Sequence, residues 1–290
     1  MRVLTPQTWP QALAMKAEHP GALPVRGGTD VMVELNFDRR RPEVLLDLGS
    51  VAGLDAIEEV GGVLRLGAGV TYQQVIDELS PVAPALAQAS RTVGSPQIRH
   101  RGTVGGNLGS ASPAGDCHPP LLAAGARVEL ASVRGTRTVP ADEFFVGPKR
   151  SVLAPDELIA AVWLPPAAGP QRFAKVGTRS AMVIAVCSFA QALNVPGREV
   201  RTGIGSAAPT PDRARAAEEY LAAVLPWDRA GDGGDLEDAV AVEFGRLVAA
   251  AAAPIDDVRG TAGYRRHALA VIAARSIARC WTAIAAGDTA

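Results

Sequence analysis

Up to Leu164 the hydrophobic positions come in short, punctuated runs. Val44-Leu45-Leu46-Asp47-Leu48, Val63–Leu66, Arg127–Leu130 and Leu158–Leu164 have the length and residue types of strands, and Leu23-Pro24-Val25 is a shorter extended stretch. Between them, helical spacing predicts helices over Trp9–Ala17, over Tyr72–Leu79 with Thr71 as its cap, over Pro84–Ser90 and over Pro120–Ala124. The texture then changes. Pro165-Pro166-Ala167-Ala168-Gly169-Pro170 can continue neither a strand nor a helix and marks the main boundary. Beyond it Arg172–Val176, Val183–Val195 and Val200–Ile204 read as strands, followed by helices over Arg213–Leu221, Leu236–Ala252 and Tyr264–Ala285, with Asp232-Gly233-Gly234-Asp235 as a loop between the first two. Strands followed by helices argue for an α+β unit.

Charge narrows the function classes. The 29 basic and 30 acidic side chains give a net charge of −1, so no long-range field steers the chain to nucleic acid or to an anionic membrane. No run approaches the roughly 20 uninterrupted apolar residues of a membrane span, and Met1-Arg2-Val3-Leu4-Thr5-Pro6 lacks the apolar core of a signal peptide, so a cytoplasmic location is expected. Three scattered cysteines, Cys117, Cys187 and Cys280, supply neither a disulfide framework nor paired metal-ligand spacing. An iron–sulfur cluster or other metal held by this chain is not expected.

The candidate chemistry lies in two glycine-rich segments, Arg26-Gly27-Gly28-Thr29-Asp30 (continuing to Val31) and Thr103-Val104-Gly105-Gly106-Asn107, the second followed by Ser112-Pro113-Ala114-Gly115-Asp116. A Gly-Gly step lets backbone N–H groups crowd around an anion with no Cβ in the way, and two such segments suit a pyrophosphate gripped from both sides. Either alone reads as a tight turn in a chain with 30 glycines; the pair points to a dinucleotide cofactor.

Two other motifs are weaker. Leu66-Gly67-Ala68-Gly69-Val70-Thr71 resembles the first turn of a Rossmann unit, but its third glycine position is Tyr72 and no acidic strand end follows at the required distance. A tight strand-to-helix turn is the better reading. His100, Cys117 and His118 suggest a metal or nucleophile site, but adjacent Cys117 and His118 cannot both reach one ion from regular structure, which favours loop packing.

The stretch from Val93-Gly94-Ser95-Pro96-Gln97-Ile98-Arg99-His100-Arg101-Gly102 through Thr103–Asn107 and Ser112–Asp116 to Pro119 and Leu121-Leu122 resembles the FAD (medium) subunit of the molybdenum hydroxylases. That group includes aerobic carbon monoxide dehydrogenase and bacterial xanthine, nicotine, quinoline and aldehyde oxidoreductases. The resemblance runs along nearly the whole chain. Gly27–Asp30 stands at the family's first flavin loop, Phe173-Ala174-Lys175-Val176-Gly177-Thr178-Arg179 at the opening of its C-terminal domain, and Asp257-Val258-Arg259-Gly260-Thr261-Ala262-Gly263-Tyr264-Arg265-Arg266 before its last helix.

The resemblance implies an α+β protein. Residues 1–55 and 56–168 would form the two subdomains of an FAD-binding fold of the vanillyl-alcohol-oxidase and molybdenum-hydroxylase type, and 171–288 a C-terminal α+β domain, a three-stranded antiparallel sheet with helices, covering the flavin. It places the diphosphate between residues 27–31 and 103–107, and Ser112 within the same cofactor site. It gives Asp116 a role in binding ribityl or ribose hydroxyls, alongside or instead of capping the helix after it. Lys175 either donates to the flavin ring or forms an exposed salt bridge; Leu158 and Ile159 pack on the ring, and Met182-Val183-Ile184 shields its other face. No residue here is expected to be catalytic in its own right. The implied function is electron transfer from the 2Fe-2S clusters of a small subunit, supplied in turn by a molybdenum-cofactor large subunit, to NAD or another acceptor, in a dimer of heterotrimers. The alternatives are a self-sufficient FAD oxidase or reductase of the same fold and a non-redox FAD-binding assembly module. A relative that reduces hydroxybenzoyl thioesters is disfavoured by the lack of a cysteine-rich insertion.

Overall fold

The computed structural model describes residues 1–230 and 234–285. The chain opens with β1 (Arg2–Leu4), α1 (Trp9–Glu18), β2 (Leu23–Val25), α2 (Val31–Asn36) and β3 (Val44–Asp47). β3 lies between β1 and β2 and all three run parallel, Leu4 opposite Leu46 and Leu23 opposite Leu45. α1 starts where Thr8 accepts from the Gln11 amide, with Pro10 in the first turn where a missing N–H costs nothing.

Next come β4 (Ile57–Val60), β5 (Val63–Gly67), α3 (Tyr72–Glu78), α4 (Pro84–Thr92), α5 (Pro96–Arg101), α6 (Val104–Ser110), α7 (His118–Ala123), β6 (Arg127–Ser132), β7 (Gly135–Pro140), α8 (Ala141–Phe144), β8 (Phe145–Gly147), β9 (Arg150–Ser151) and β10 (Leu158–Leu164). The antiparallel sheet has the order β4-β5-β10-β6-β7, so the last strand in sequence is the central one. That placement explains its unbroken apolar run Leu158–Val162, buried throughout. The Gly67–Gly69 turn leads into α3 through a full capping box, Thr71 and Gln74 each bonding the other's backbone amide. The strand-to-helix reading of this motif therefore holds.

Beyond the proline-rich segment, β11 (Gln171–Val176), β12 (Cys187–Asn194) and β13 (Glu199–Gly205) form an antiparallel meander backed by α9 (Arg215–Val224), α10 (Asp238–Ala251) and α11 (Ala262–Ala285). β12 begins four residues later than the expected Val183. The expected loop at 232–235 and the end of the expected 171–288 domain lie partly outside the described residues, at 232–233 and 286–288. α11 reaches the length and mean hydropathy, 1.4, of a membrane-crossing helix. Its apolar face, Leu269, Ala273, Ile277 and Trp281, is buried in the core, while Arg266, Arg275 and Arg279 are exposed, which is the pattern of an amphipathic core helix.

The apolar core is in two parts. One joins the parallel and antiparallel sheets, with Leu46, Leu66, Leu108, Leu130 and Leu164 fully buried. The other lies between the meander and its helices, where Phe189 and Phe244 meet edge-to-face at 6.0 Å. The two halves meet where α7 packs on β13: a Cβ on Gly203 would lie 2.1 Å from the Pro119 carbonyl, so only glycine allows this approach.

Candidate functional site

The first glycine segment leaves the carboxyl end of a parallel strand, the edge at which open α/β sheets bind ligands. Leu48 N–H donates to the Val25 carbonyl at 2.7 Å, and from there the backbone turns through Gly27 and Gly28 into α2. Gly28 has φ +75°, a left-handed conformation that side chains other than glycine adopt at a cost. A Cβ on Gly27 would lie 2.0 Å from the Arg101 carbonyl oxygen. None of the amides of residues 27–31 donates a hydrogen bond to a described residue. A row of unsatisfied N–H groups beside a helix start is an oxyanion site.

The second segment differs from the loop expected of it. Residues 104–110 are helix α6, with Thr103 as its N-cap. The amides there are committed: Val104 N–H to the Val70 carbonyl at 3.0 Å, Gly105 N–H to Ala68 at 3.2 Å, Gly106 N–H to Thr103 Oγ1 at 2.9 Å and Asn107 N–H to the Thr103 carbonyl at 3.0 Å. What this wall offers a ligand is closeness rather than donors. Gly105 lets the helix touch the strand-to-helix turn, where a Cβ would lie 2.4 Å from the Ala68 carbonyl oxygen; a Cβ on Gly106 would meet only Thr103 Oγ1, at 3.0 Å.

Between these walls lies a cavity of about 330 Å3. Of the expected residues, Arg26, Gly27, Gly28, Thr29, Asp30 and Val31 line one side, Thr103, Gly105, Gly106 and Asn107 the other, and Leu158 and Ile159 the floor. Val104 is wholly buried beneath the helix. Ser112 shapes the turn after α6, its hydroxyl accepting from Ala114 N–H at 3.3 Å. Arg26 reaches Asp55 at 3.5 Å, and Lys149, at the β8–β9 turn, pairs with Glu34 of α2 at 2.6 Å across the mouth. That hydrogen bond to Lys149 holds the Glu34 carboxyl below its usual range.

Asp116 and Lys175 lie outside this cavity and against each other. Lys175 Nζ donates to Asp116 Oδ2 at 2.6 Å, with the two side chains 7% and 10% exposed, so the salt bridge is buried rather than exposed. Asp116 does not cap α7, whose start carries no side-chain cap bond. Its Oδ1 is buried with no hydrogen-bond partner, an acceptor left for a ligand hydroxyl. Burial pushes the Asp116 carboxyl above its usual range, and Lys175 only partly opposes this.

Lys175 also lines a second cavity, of about 440 Å3, between the α4–α5 corner and residues 177–183. Met182 and Val183 form part of its wall, and Val183 lies outside the strand expected to begin with it. No residue lines both cavities: Leu158 and Ile159 line the first and Lys175 the second.

His118 and Cys117 are packing residues. The imidazole sits 4.5 Å from the Phe145 ring, with Nε2 3.1 Å from the Asn107 carbonyl oxygen, and burial lowers its pKa to about 4. Gly115 makes room for it, since a Cβ there would lie 2.2 Å from the ring. Among the described residues no group of three His, Cys, Asp or Glu side chains is placed to hold a metal ion.

Residues 1–167 match the FAD binding domain in molybdopterin dehydrogenase, and residues 172–280 match the CO dehydrogenase flavoprotein C-terminal domain. The chain belongs to the family of FAD-binding medium subunits of molybdenum hydroxylases. Among its relatives, the nicotine 6-hydroxylase medium subunit of Paenarthrobacter nicotinovorans is 33% identical over 260 residues, 87% of each chain. The carbon monoxide dehydrogenase medium chain of Afipia carboxidovorans is 30% identical, covering 89% of this chain and 88% of that one. A carbon monoxide dehydrogenase structure from Hydrogenophaga pseudoflava superposes with TM-score 0.88 at 25% identity, over 100% of this chain and 98% of the other.

FAD is the cofactor of this oxidoreductase subunit, and the site fits it. The free amides at 27–31 suit a pyrophosphate, the glycine face of α6 admits it closely, and Asp116 Oδ1 awaits a hydroxyl donor. Sequence reasoning missed Tyr72, Glu34, Arg40 and Lys149 at the first cavity and Arg91, Arg99 and Arg179 at the second. Tyr72 carried a local signal, standing first in the helix that Thr71 caps, and Arg99 and Arg179 stand within the segments that carry the family resemblance.

Proposed function

We propose that the FAD subunit is the electron-transfer component of a heterotrimer, taking electrons from the 2Fe-2S clusters of a small subunit and delivering them to NAD or another acceptor. A molybdenum-cofactor large subunit performs the substrate chemistry, and the trimers pair as a dimer of heterotrimers. The medium-chain names of its relatives support the partners. Three unpaired cysteines fit a cytoplasmic location.

The observation that carries the site is the row of free amides at 27–31 facing the glycine wall of α6. In this reading residues Arg26 to Val31 bind the pyrophosphate and residues Thr103 to Asn107 close on it without donating. Asp116 accepts from the ribityl chain, which carries the flavin ring to Lys175 and the second cavity. When bound, FAD supplies the redox chemistry that accepts single electrons and releases a pair. Lys175, oriented by Asp116 and by the Thr92 carbonyl at 3.3 Å, holds a positive charge where negative charge builds on reduction.

The purified chain should carry one non-covalent FAD, released by acid and identified by chromatography. Turnover should require both partner subunits. Colourless protein that takes up no FAD, or hydroxylation by the chain alone, would overturn the reading.

A further inference from the structure

The mouth of the first cavity carries a cation that belongs to neither glycine segment. Lys149 stands in the β8–β9 turn, 115 residues along the chain from its partner Glu34. Its backbone is left-handed, with φ +56°, and its N–H donates at 3.0 Å to the carbonyl of Ala111, the C-cap of α6, which is itself left-handed at φ +45°. Neither residue is glycine, so both conformations are strained. The bond between them fixes the turn against the end of the glycine helix, and from there Lys149 Nζ donates to Glu34 Oε1 at 2.6 Å. The lysine side chain is nevertheless 65% exposed, and an ion pair so open to water adds little to folding. Folding stability therefore does not account for two strained residues placed to aim this side chain.

The charges lining the cavity give a reason. Arg26, Arg40 and Lys149 stand there with Asp30, Glu34 and Glu157. Glu157 is matched by Arg137, through two bonds of 2.7 Å, and Arg26 reaches Asp55 at 3.5 Å. Glu34 lies one turn of α2 beyond Asp30, its N–H donating to the Asp30 carbonyl at 3.1 Å. A carboxylate that close to the free amides of residues 27–31 repels a dianion bound there unless a cation offsets it. Arg40 is 3.7 Å from Glu34, whereas Lys149 bonds it directly. An ammonium has three donors, and Glu34 takes one of them.

We propose that Lys149 is a diphosphate-binding residue of this subunit: steadied by Glu34 and by the left-handed turn, its ammonium donates to the FAD diphosphate and supplies the positive charge that the two glycine segments lack. The inference rests on the assignment of the first cavity to that diphosphate. It adds a third element to the site, since the β8–β9 turn then closes on a ligand already held between residues 27–31 and α6.

The test is titration of the apoprotein with FAD, followed by quenching of flavin fluorescence at several salt concentrations, in wild type, Lys149→Met, Lys149→Arg and the double variant Lys149→Met with Glu34→Gln. Lys149→Met should weaken FAD binding about tenfold, the loss of one charge-assisted hydrogen bond, and make its salt dependence shallower. Lys149→Arg keeps the charge and should keep most of the affinity. The double variant should stay weaker than wild type, because removing the repelling carboxylate does not return the lost donor. Melting temperatures of the apoproteins should not change, since the pair is exposed. An unchanged Kd in Lys149→Met overturns the proposal, and so does wild-type affinity in the double variant, which would leave Lys149 no task beyond neutralising Glu34. Wild-type protein that takes up no FAD at all would overturn the cofactor reading and this proposal with it, an outcome distinct from either.

Discussion

Lys175 and Asp116 join the two halves of the molecule: the strand that opens the C-terminal unit is tied, through a 2.6 Å bond, to the turn that follows the second glycine segment. Ion pairing alone would lower the Asp116 pKa, but burial outweighs it and the net direction is upward. A carboxyl whose pKa is higher folded than unfolded favours folding at low pH and loses that advantage as pH rises through the folded value. Lys175→Met removes the opposing charge and raises the carboxyl further. We therefore expect this variant of the apoprotein to lose about 3–5 kcal/mol at pH 8 and less at pH 5, because the upward-shifted Asp116 carboxyl takes up its proton earlier as pH falls. Denaturant unfolding at the two pH values checks this. Equal losses at both would mean that Asp116 bears no buried charge.

Gly105 and Gly106 of α6 should separate folding from binding. Gly105→Ala drives a Cβ to 2.4 Å from a backbone carbonyl that cannot give way, so a loss of about 3 kcal/mol or more is expected. Gly106→Val has only the Thr103 hydroxyl to accommodate, at 3.0 Å, and valine is no worse than glycine in a helix. Its stability should stay within about 1 kcal/mol of wild type while the flavin:protein ratio collapses, because the added methyls stand in the cavity wall. Full FAD content in Gly106→Val would remove α6 from the cofactor site.

Much of this arrangement was legible because its signals are local. Thr71 and Gln74 announce a helix start, and Leu158–Leu164 is apolar enough to be a central strand. α5 and α6 were not predicted, for opposite reasons. α5 carries a cap, Ser95, and a first-turn proline, but spans only six residues, too few for apolar periodicity to register. In α6 three glycines, Gly105, Gly106 and Gly109, lower helix propensity so far that Thr103, a sound cap, goes unnoticed; the helix is held by packing on the Ala68–Val70 turn instead. The cofactor segments were found by motif, whereas the guanidinium groups of the second cavity come from distant positions that only the tertiary fold assembles.

Arg265 is a second junction. Its Nη1 donates to the Val186 and Ser206 carbonyls at 2.9 and 2.6 Å, and Nη2 donates to Asp257 at 2.5 Å, with the side chain 3% exposed. Arg265→Met strands both carbonyls and should cost about 3–5 kcal/mol. Asp257, hydrogen-bonded first by Arg259 and then by Arg265, is held well below the usual carboxylate range. A depressed carboxyl contributes stability above its unfolded pKa and loses it as pH falls toward the folded one. Asp257→Asn should therefore be less stable than wild type near neutrality and flatten the acid limb of the stability curve below about pH 4. An unchanged acid limb would show that the pair is not formed in solution.

The cysteines offer a global check on the two cores. Cys117 and Cys280 belong to different apolar clusters and Cys187 sits at the start of the β12 strand, all three buried and unpaired. Burial pushes Cys187 up to about 12 and Cys280 up to about 11, and raises Cys117 as well. At pH 8 none of them presents a thiolate, and none is open to a reagent unless its surroundings unfold. An aromatic disulfide reagent should thus label no thiol in the native protein and all three in denaturant. Labelling through an increasing denaturant series should then release the thiols with the core that covers each, and Cys117→Ser should retain FAD because its side chain lines neither cavity. Rapid native labelling of Cys117 would mean that the turn carrying Asp116 opens, which would undo the buried Lys175 pair on which the interdomain contact depends.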